Sequence, residues 1–330
     1  MDSPLARGAA NADAAPTHDD VQAAHRRIAD WIHRTPVLTS ATLDRMSGAE
    51  LFFKCENFQK AGAFKARGAT NAVFSLDEAA AARGVATHSS GNHALSLSRA
   101  AACRGIPCTV VMPRTAPKAK MDAVRGYGGE IVICEPSLEA RERTLESIVS
   151  RSGASFVHPY NDARVIAGQG TCARELLEQA GELDAVVAPI GGGGMISGTS
   201  LTCAALTPET RVFAAEPEQA DDAWRSLRAG RIIEDDAPDT VADGLRVSLR
   251  PLTWHFVHRH VADILLASET DIVDAMRLIW QRMKIVVEPS SAVAVAAILN
   301  NPSVFAGRRV GVVLTGGNVD LDKLPWTQPV

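Results

Sequence analysis

An α/β fold with open, mostly parallel sheets follows from three features of this 330-residue chain. Short apolar runs alternate with longer Ala-, Leu-, Arg- and Glu-rich stretches of helical period. The short runs are continuously apolar, as in parallel strands covered on both faces. Several of them end in a glycine-rich or polar turn that leads into a helix, the arrangement that places ligands outside the carboxyl ends of strands.

In chain order, the start MDSPLARGAANADAAPTHDD lacks the basic and then apolar order of a secretory signal, and residues 1–18 read as a flexible polar tail. Strands are expected at Val85–Thr87, Cys108–Met112, Glu130–Cys134, Ala185–Ala188, Arg211–Ala215 and Val310–Leu314. Helices are expected at 92–104, 137–151, 164–180 and 269–284. Four strands run into turns with chemistry-bearing residues: Thr87 into HSSGNH, Ala188 into PIGGGGMISG, Ala215 into EPEQADD, and Leu314 into TGGN. One site at the carboxyl edge of the sheets would collect all four.

With 46% hydrophobic and 22% charged residues, the composition is that of a globular chain long enough for two packed units. A net charge of −4, with basic residues spread out, offers no general attraction for nucleic acid or anionic membrane. No apolar run approaches the ~20 residues of a membrane-spanning helix. The six cysteines (Cys55, Cys103, Cys108, Cys134, Cys172, Cys203) include no C-x-x-C pair, so reduced structural thiols in a cytoplasmic setting are expected. His255, His258 and His260 lie together without a carboxylate or cysteine spaced to join them, and exposed helix histidines account for them.

Gly191–Gly194 give the strongest signal on residue chemistry alone. Four glycines between an apolar strand and a helix let the backbone turn tightly and aim several N–H groups at an anion, usually a phosphate. A dinucleotide site competes, because Glu216 ends the next strand at about the distance that fingerprint asks. Its G-x-G-x-x-G spacing fails: the third glycine would fall on Ile196 or Ser197. No Gly-Lys-Ser/Thr follows either, so a P-loop is excluded. The phosphate belongs to something else.

The stretch Ala63-Phe64-Lys65-Ala66-Arg67-Gly68-Ala69 closely resembles the Ser-Phe-Lys-x-Arg-Gly-Ala segment of fold type II (tryptophan synthase β-like) pyridoxal-phosphate (PLP) enzymes. Three further matches follow in that family's order: His88-Ser-Ser-Gly-Asn-His93, the tetraglycine loop, and Thr315-Gly-Gly-Asn318. The resemblance implies that Lys65 carries PLP, with Phe64, Asn92, Gly191, Gly192, Gly193, Gly194, Met195, Gly244 and Thr315 around the cofactor. It implies that His88, Ser89, Ser90, Gly91, Asn92 and His93 grip the substrate carboxylate. Lys65 would move the α-proton, and Ser90 would serve the opposite face in racemisation. A large PLP-binding domain of residues 19–78 and 161–330, and a small one of 79–160 closing over substrate, are likewise implied.

Glu216-Pro-Glu-Gln-Ala220-Asp-Asp222 carries a narrower resemblance, to serine racemase and the related serine, threonine and 3-hydroxyaspartate dehydratases. It implies Mg²⁺, or Mn²⁺ or Ca²⁺, held by Glu216, the Ala220 carbonyl and Asp222. Hard oxygen donors suit these ions, although an acidic helix start would explain Asp221 and Asp222 without a metal. The activity implied is removal of water and ammonia from a small β-hydroxy amino acid, best 3-hydroxyaspartate and then L-serine or L-threonine, by a homodimer. Serine or aspartate racemisation at the same site is the alternative. A non-catalytic PLP-binding protein is a third reading, opposed by the intact Lys65, Ser90 and Thr315. Arg141 and Arg246 are candidate partners for a second substrate carboxylate.

Some positions depart from the family. Ala63 stands where serine is usual, and Leu95 where nucleotide-activated racemases carry glutamine, although Lys60, Tyr127 and Lys284 match that effector region. The sequence stops soon after TGGN, so feedback through a C-terminal regulatory domain is not expected.

Overall fold

The computed structural model describes residues 15–235 and 237–327. Two sheets organise them, built from β1 (Val37–Leu38), β2 (Glu50–Cys55), β3 (Val85–His88), β4 (Cys108–Pro113), β5 (Glu130–Cys134), β6 (Ser155–Phe156), β7 (Ala185–Pro189), β8 (Arg211–Pro217), β9 (Val261–Ala267) and β10 (Arg309–Leu314). One sheet has the order β1-β2-β10-β7-β8-β9 and is parallel except for β1 against β2. The other, β5-β4-β3-β6, is parallel throughout. The α/β expectation is met, and all six expected strands form.

The four expected helices form as Asn92–Arg104, Leu138–Ser152, Ala163–Ala180 and Glu269–Met283. Of the expected polar tail, only its last residues are described. Residues 1–14 lie outside the described part, and a helix starts at His18. Thr17 caps it by accepting from the Asp20 amide while the Asp20 carboxylate accepts from the Thr17 amide at 2.8 Å, a reciprocal pair that satisfies two end donors.

Apolar side chains from both faces of the six-stranded sheet are covered. On one face lie the Glu269–Met283 and Pro289–Asn300 helices, the second buried almost all round by its run of Ala and Val. On the other lie Ala163–Ala180 and Gly194–Leu206. Because β2, β7, β8 and β10 are parallel, their carboxyl ends share one edge, which carries three of the four turns; the fourth, HSSGNH, follows β3 of the other sheet and meets this edge through Asn92, which donates to Glu288 at 2.9 Å.

The helix that starts at Lys65 is fixed from beneath by a buried ionic network. Arg67 grips the Glu56 carboxylate at 2.7 and 2.8 Å and both Glu175 oxygens at 2.8 Å. Lys54 donates to Glu175 at 2.7 Å, to the Thr35 carbonyl at 2.7 Å and to Gln179 at 2.8 Å. All four charged groups are essentially out of water. Two cations balance two anions with their hydrogen bonds made, so removing one partner would leave a buried charge uncompensated, typically costing 3–5 kcal/mol.

Candidate active site

Lys65 opens the Lys65–Phe74 helix at the floor of the cleft between the sheets. An isolated bridge between Ala63 and Gly316, with the Phe64 amide donating to the Thr315 carbonyl at 2.9 Å, ties its loop to the turn after β10. The Lys65 amine lies 5.1 Å from the Phe64 ring centre and donates to the Pro159 carbonyl at 2.7 Å. Desolvation lowers its pKa to about 8, while the charge of Glu288 opposes the fall. An amine in that range is readily available in its neutral, nucleophilic form.

Gly191–Gly194 form a buried turn at the end of β7. Gly193 has φ +84°, which only glycine adopts without strain. A Cβ on Gly192 would fall 2.5 Å from the Tyr160 ring, so the backbone there has room for no side chain. Outside the following helix's own hydrogen bonds, none of the Gly191–Gly194 amides donates to a backbone carbonyl among the described residues. Unpaired amides at a helix start are what a phosphate requires. Met195 is buried just behind them. Gly244 approaches the same edge, its amide donating to Ser290 Oγ at 3.1 Å.

The remaining turns interlock. Asn92 Nδ2 donates to both Glu288 oxygens at 2.9 and 3.2 Å, and Asn318 Nδ2 donates to Asn92 Oδ1 at 2.9 Å. The Thr315 hydroxyl is buried 3.1 Å from Ser291 Oγ, which also donates to the Gly316 carbonyl at 2.9 Å. Burial pushes the Glu288 carboxyl up to about 7 against the opposing hydrogen bond from Asn92. A hydroxyl, an amide, an amine and a ring of backbone N–H groups thus face one cleft. These donors fit PLP, whose phosphate, ring nitrogen, phenolic oxygen and aldehyde each need one of them.

His88 ends β3, and Ser89, Ser90 and Gly91 follow it, half-buried, toward Asn92. His93 is buried, with Nε2 3.1 Å from the Val157 carbonyl. Burial lowers His88 to about 4 and His93 to about 3, and holds His158 well below the ordinary range. The three imidazoles are therefore neutral near pH 7. Arg141, in the first turn of the Leu138–Ser152 helix, contributes to lowering His88. Arg246 is exposed and donates to the Thr240 carbonyl.

Glu216, near the end of β8, and Asp222, which opens the Asp222–Ala229 helix after it, are both buried. The Glu216 oxygens accept from the Ala223 and Trp224 amides at 3.0 and 2.8 Å. Asp222 Oδ2 is buried with no hydrogen-bond partner. Burial, and then the neighbouring Asp222 charge, push the Glu216 carboxyl well above its usual value; burial pushes Asp222 up to about 6. Two adjacent desolvated carboxylates with an orphaned oxygen suit a cation. Among the described residues no three His, Cys, Asp or Glu groups converge, so the rest of a metal shell would have to be carbonyl and water. The three clustered histidines lie on the Pro251–His260 helix with His258 and His260 exposed, in keeping with a surface role.

Glu288, Ser291, His158 and Tyr160 received no role in the reading of the sequence. A signal existed for some: HPYND packs polar and aromatic residues directly after β6, and Glu288 precedes a proline-started helix.

Residues 28–316 match the model of the pyridoxal-phosphate dependent enzymes. The chain is 68% identical over 311 residues to a β-hydroxyaspartate dehydratase of Paracoccus denitrificans, covering 94% of this chain and 99% of that one. It is 51% identical over 309 residues to a serine racemase of Arabidopsis thaliana, with 92% and 93% covered. A crystal structure of serine racemase from Dictyostelium discoideum superposes with a TM-score of 0.90 at 46% identity, covering 93% of this chain and 99% of that one. With its amine, glycine cup and convergent turns in one cleft, the chain belongs to the pyridoxal-phosphate dependent enzymes of fold type II.

Proposed function

We propose that this enzyme is an ammonia-lyase that removes water and ammonia from a small β-hydroxy amino acid, with 3-hydroxyaspartate preferred over L-serine and L-threonine. The observation that carries the reading is the Lys65 amine, lowered to about 8, held in one cleft with the glycine cup and the Thr315 hydroxyl. The 68% identity to a β-hydroxyaspartate dehydratase supports the substrate.

When bound, PLP withdraws electrons from the substrate α-carbon and so eases loss of its proton. Gly191–Gly194 and Met195 hold the phosphate end, Gly244 and Phe64 border the ring, and Asn92 meets the phenolic oxygen. Thr315 would offer the ring nitrogen a hydroxyl rather than an acid. Lys65 carries the cofactor at rest and, as free amine, takes the α-proton. His88, Ser89, Ser90, Gly91, Asn92 and His93 hold the substrate carboxylate, and residues 79–160 close over it. Departure of the β-hydroxyl as water and hydrolysis of the resulting enamine release ammonia and a 2-oxo acid, which from 3-hydroxyaspartate is oxaloacetate.

Glu216, the Ala220 carbonyl and Asp222 hold Mg²⁺, Mn²⁺ or Ca²⁺ in this reading, supported by the orphaned Asp222 oxygen. The ion stabilises the turn. A cytoplasmic homodimer completes the proposal, and six free thiols accord with a reducing compartment.

Racemisation at the same site is the second reading, favoured by Ser90 and by the serine racemase at 51% identity. The test is a panel of all 3-hydroxyaspartate stereoisomers with L-serine and L-threonine, followed for ammonia, 2-oxo acid and inverted enantiomer. Elimination predicts ammonia and oxo acid in equal amounts; inverted enantiomer without ammonia would make the protein a racemase. Ser90→Ala should remove inversion far more than elimination, and an equal loss of both would assign Ser90 to substrate positioning.

A further inference from the structure

The Lys65 amine rests on a peptide group that a histidine holds from the other side. Lys65 Nζ donates to the Pro159 carbonyl at 2.7 Å. That carbonyl shares its peptide plane with the Tyr160 N–H, and in a trans peptide the two point in opposite directions. The Tyr160 amide donates to His158 Nδ1 at 3.2 Å, and the Asn161 amide donates to the same nitrogen at 2.9 Å. Nδ1 therefore accepts twice, which puts the proton of the neutral ring on Nε2.

The neighbouring residues anchor the ends of this turn but leave the Pro159–Tyr160 plane to His158. Standing before a proline restricts His158 to extended backbone, and the proline ring fixes its own φ. Downstream, the Tyr160 hydroxyl donates to the Ser248 carbonyl at 3.0 Å, and Asn161 Oδ1 accepts from the Leu252 amide at 3.2 Å. Asp162 then caps the Ala163–Ala180 helix. Among the described residues the Tyr160 amide has no acceptor besides His158 Nδ1. The His158 ring is itself held edge-on by Tyr160, Phe156 and His88, with ring centres 4.5, 5.6 and 6.1 Å away.

An amine that must meet the substrate α-carbon needs a fixed resting place, since a misplacement on the order of 1 Å can cost about a hundredfold in rate. We propose that His158 is a positioning residue for Lys65: by accepting at Nδ1 from the Tyr160 and Asn161 amides, it fixes the plane whose Pro159 carbonyl holds the free amine. This rests on the elimination reading given above, in which Lys65 carries the cofactor and takes the α-proton.

The test uses His158→Asn and His158→Gln, which separate the two ring nitrogens. Asparagine carries Oδ1 where histidine carries Nδ1, whereas the glutamine amide reaches past it to the place of Nε2. PLP-loaded wild type and variants are compared on 3-hydroxyaspartate and L-serine, with Tm measured to confirm folding. In parallel, the cofactor-free proteins are mixed with PLP, and the rate of covalent capture is followed by absorbance and verified by borohydride trapping at Lys65. His158→Gln should lower kcat about tenfold or more on both substrates, with KM changed less than about twofold, and slow capture by a similar factor. His158→Asn should recover both to within about threefold of wild type, because it restores the acceptor for the two amides. If His158→Gln does not fold, His158→Leu takes its place with the same expectation. Asparagine as damaging as glutamine, or more so, would overturn the proposal and assign His158 a role through its ring or its Nε2 proton. Unchanged kcat and capture in both variants would overturn it as well. Ammonia from neither substrate in the wild type would overturn the elimination reading, and the capture rates alone would then decide for or against His158.

Discussion

Glu288 offers a prediction whose size follows from the structure. Its carboxyl is 4% exposed, and burial raises its pKa from 4.5 to about 7. The unfolded chain loses this proton near 4.5, the folded chain only near 7. Between those values the folded state binds more protons, so stability falls as pH rises. At about 1.4 kcal/mol per unit, the cost is about 3 kcal/mol once pH has passed the folded value. Glu288→Gln removes the titration and keeps one oxygen to accept from Asn92. The assay is thermal melting of the cofactor-free protein, wild type and variant, from pH 5 to pH 8. Relative to the variant, the wild type should lose about 2.5 kcal/mol across that window, or roughly 4 °C in Tm for a chain of this length. Parallel pH profiles would show that Glu288 is already ionised throughout, and would refute the burial argument.

Two further outcomes test other parts of the site. EDTA should lower Tm and activity, and Mg²⁺, Mn²⁺ or Ca²⁺ should restore both, because an ion that binds only the folded form stabilises it by mass action. The loss under EDTA should grow as pH rises through about 6, where buried Asp222 ionises, and Asp222→Ala should abolish the metal response. Unchanged melting after chelation would leave the acidic turn as a helix cap. Gly192→Ala places a Cβ 2.5 Å from the Tyr160 ring, which should destabilise the protein by about 1–3 kcal/mol and weaken PLP binding at least tenfold, read by equilibrium dialysis.

The parallel strands were legible because strands buried on both faces leave continuous apolar runs, as in AVVA of β7 and VGVVL of β10. Four strands were not. β1 and β6 span two residues each, too few to show a period. β2 carries Lys54 into the core, a charge tolerated only because Glu175 and Gln179 meet it there. β9 follows a histidine-rich helix without a turn signal and mixes Asp263 into its apolar run. In the site, glycines and the Lys65 motif are readable since their chemistry is local. Glu288 and Tyr160 act through residues far off in sequence: Asn92, which donates to Glu288, lies 196 positions away, and Ser248, whose carbonyl accepts from the Tyr160 hydroxyl, 88. Spacing along a chain does not encode such pairs.

Lys65 as the residue that holds the cofactor is the assignment most directly open to measurement. The PLP-loaded protein should be treated with borohydride, digested and analysed by peptide mass spectrometry. One reduced pyridoxyl group per chain is expected, on the AFKAR segment at Lys65, and none in Lys65→Ala. A pyridoxyl group at normal stoichiometry on another lysine, or its persistence in the variant, would contradict the assignment.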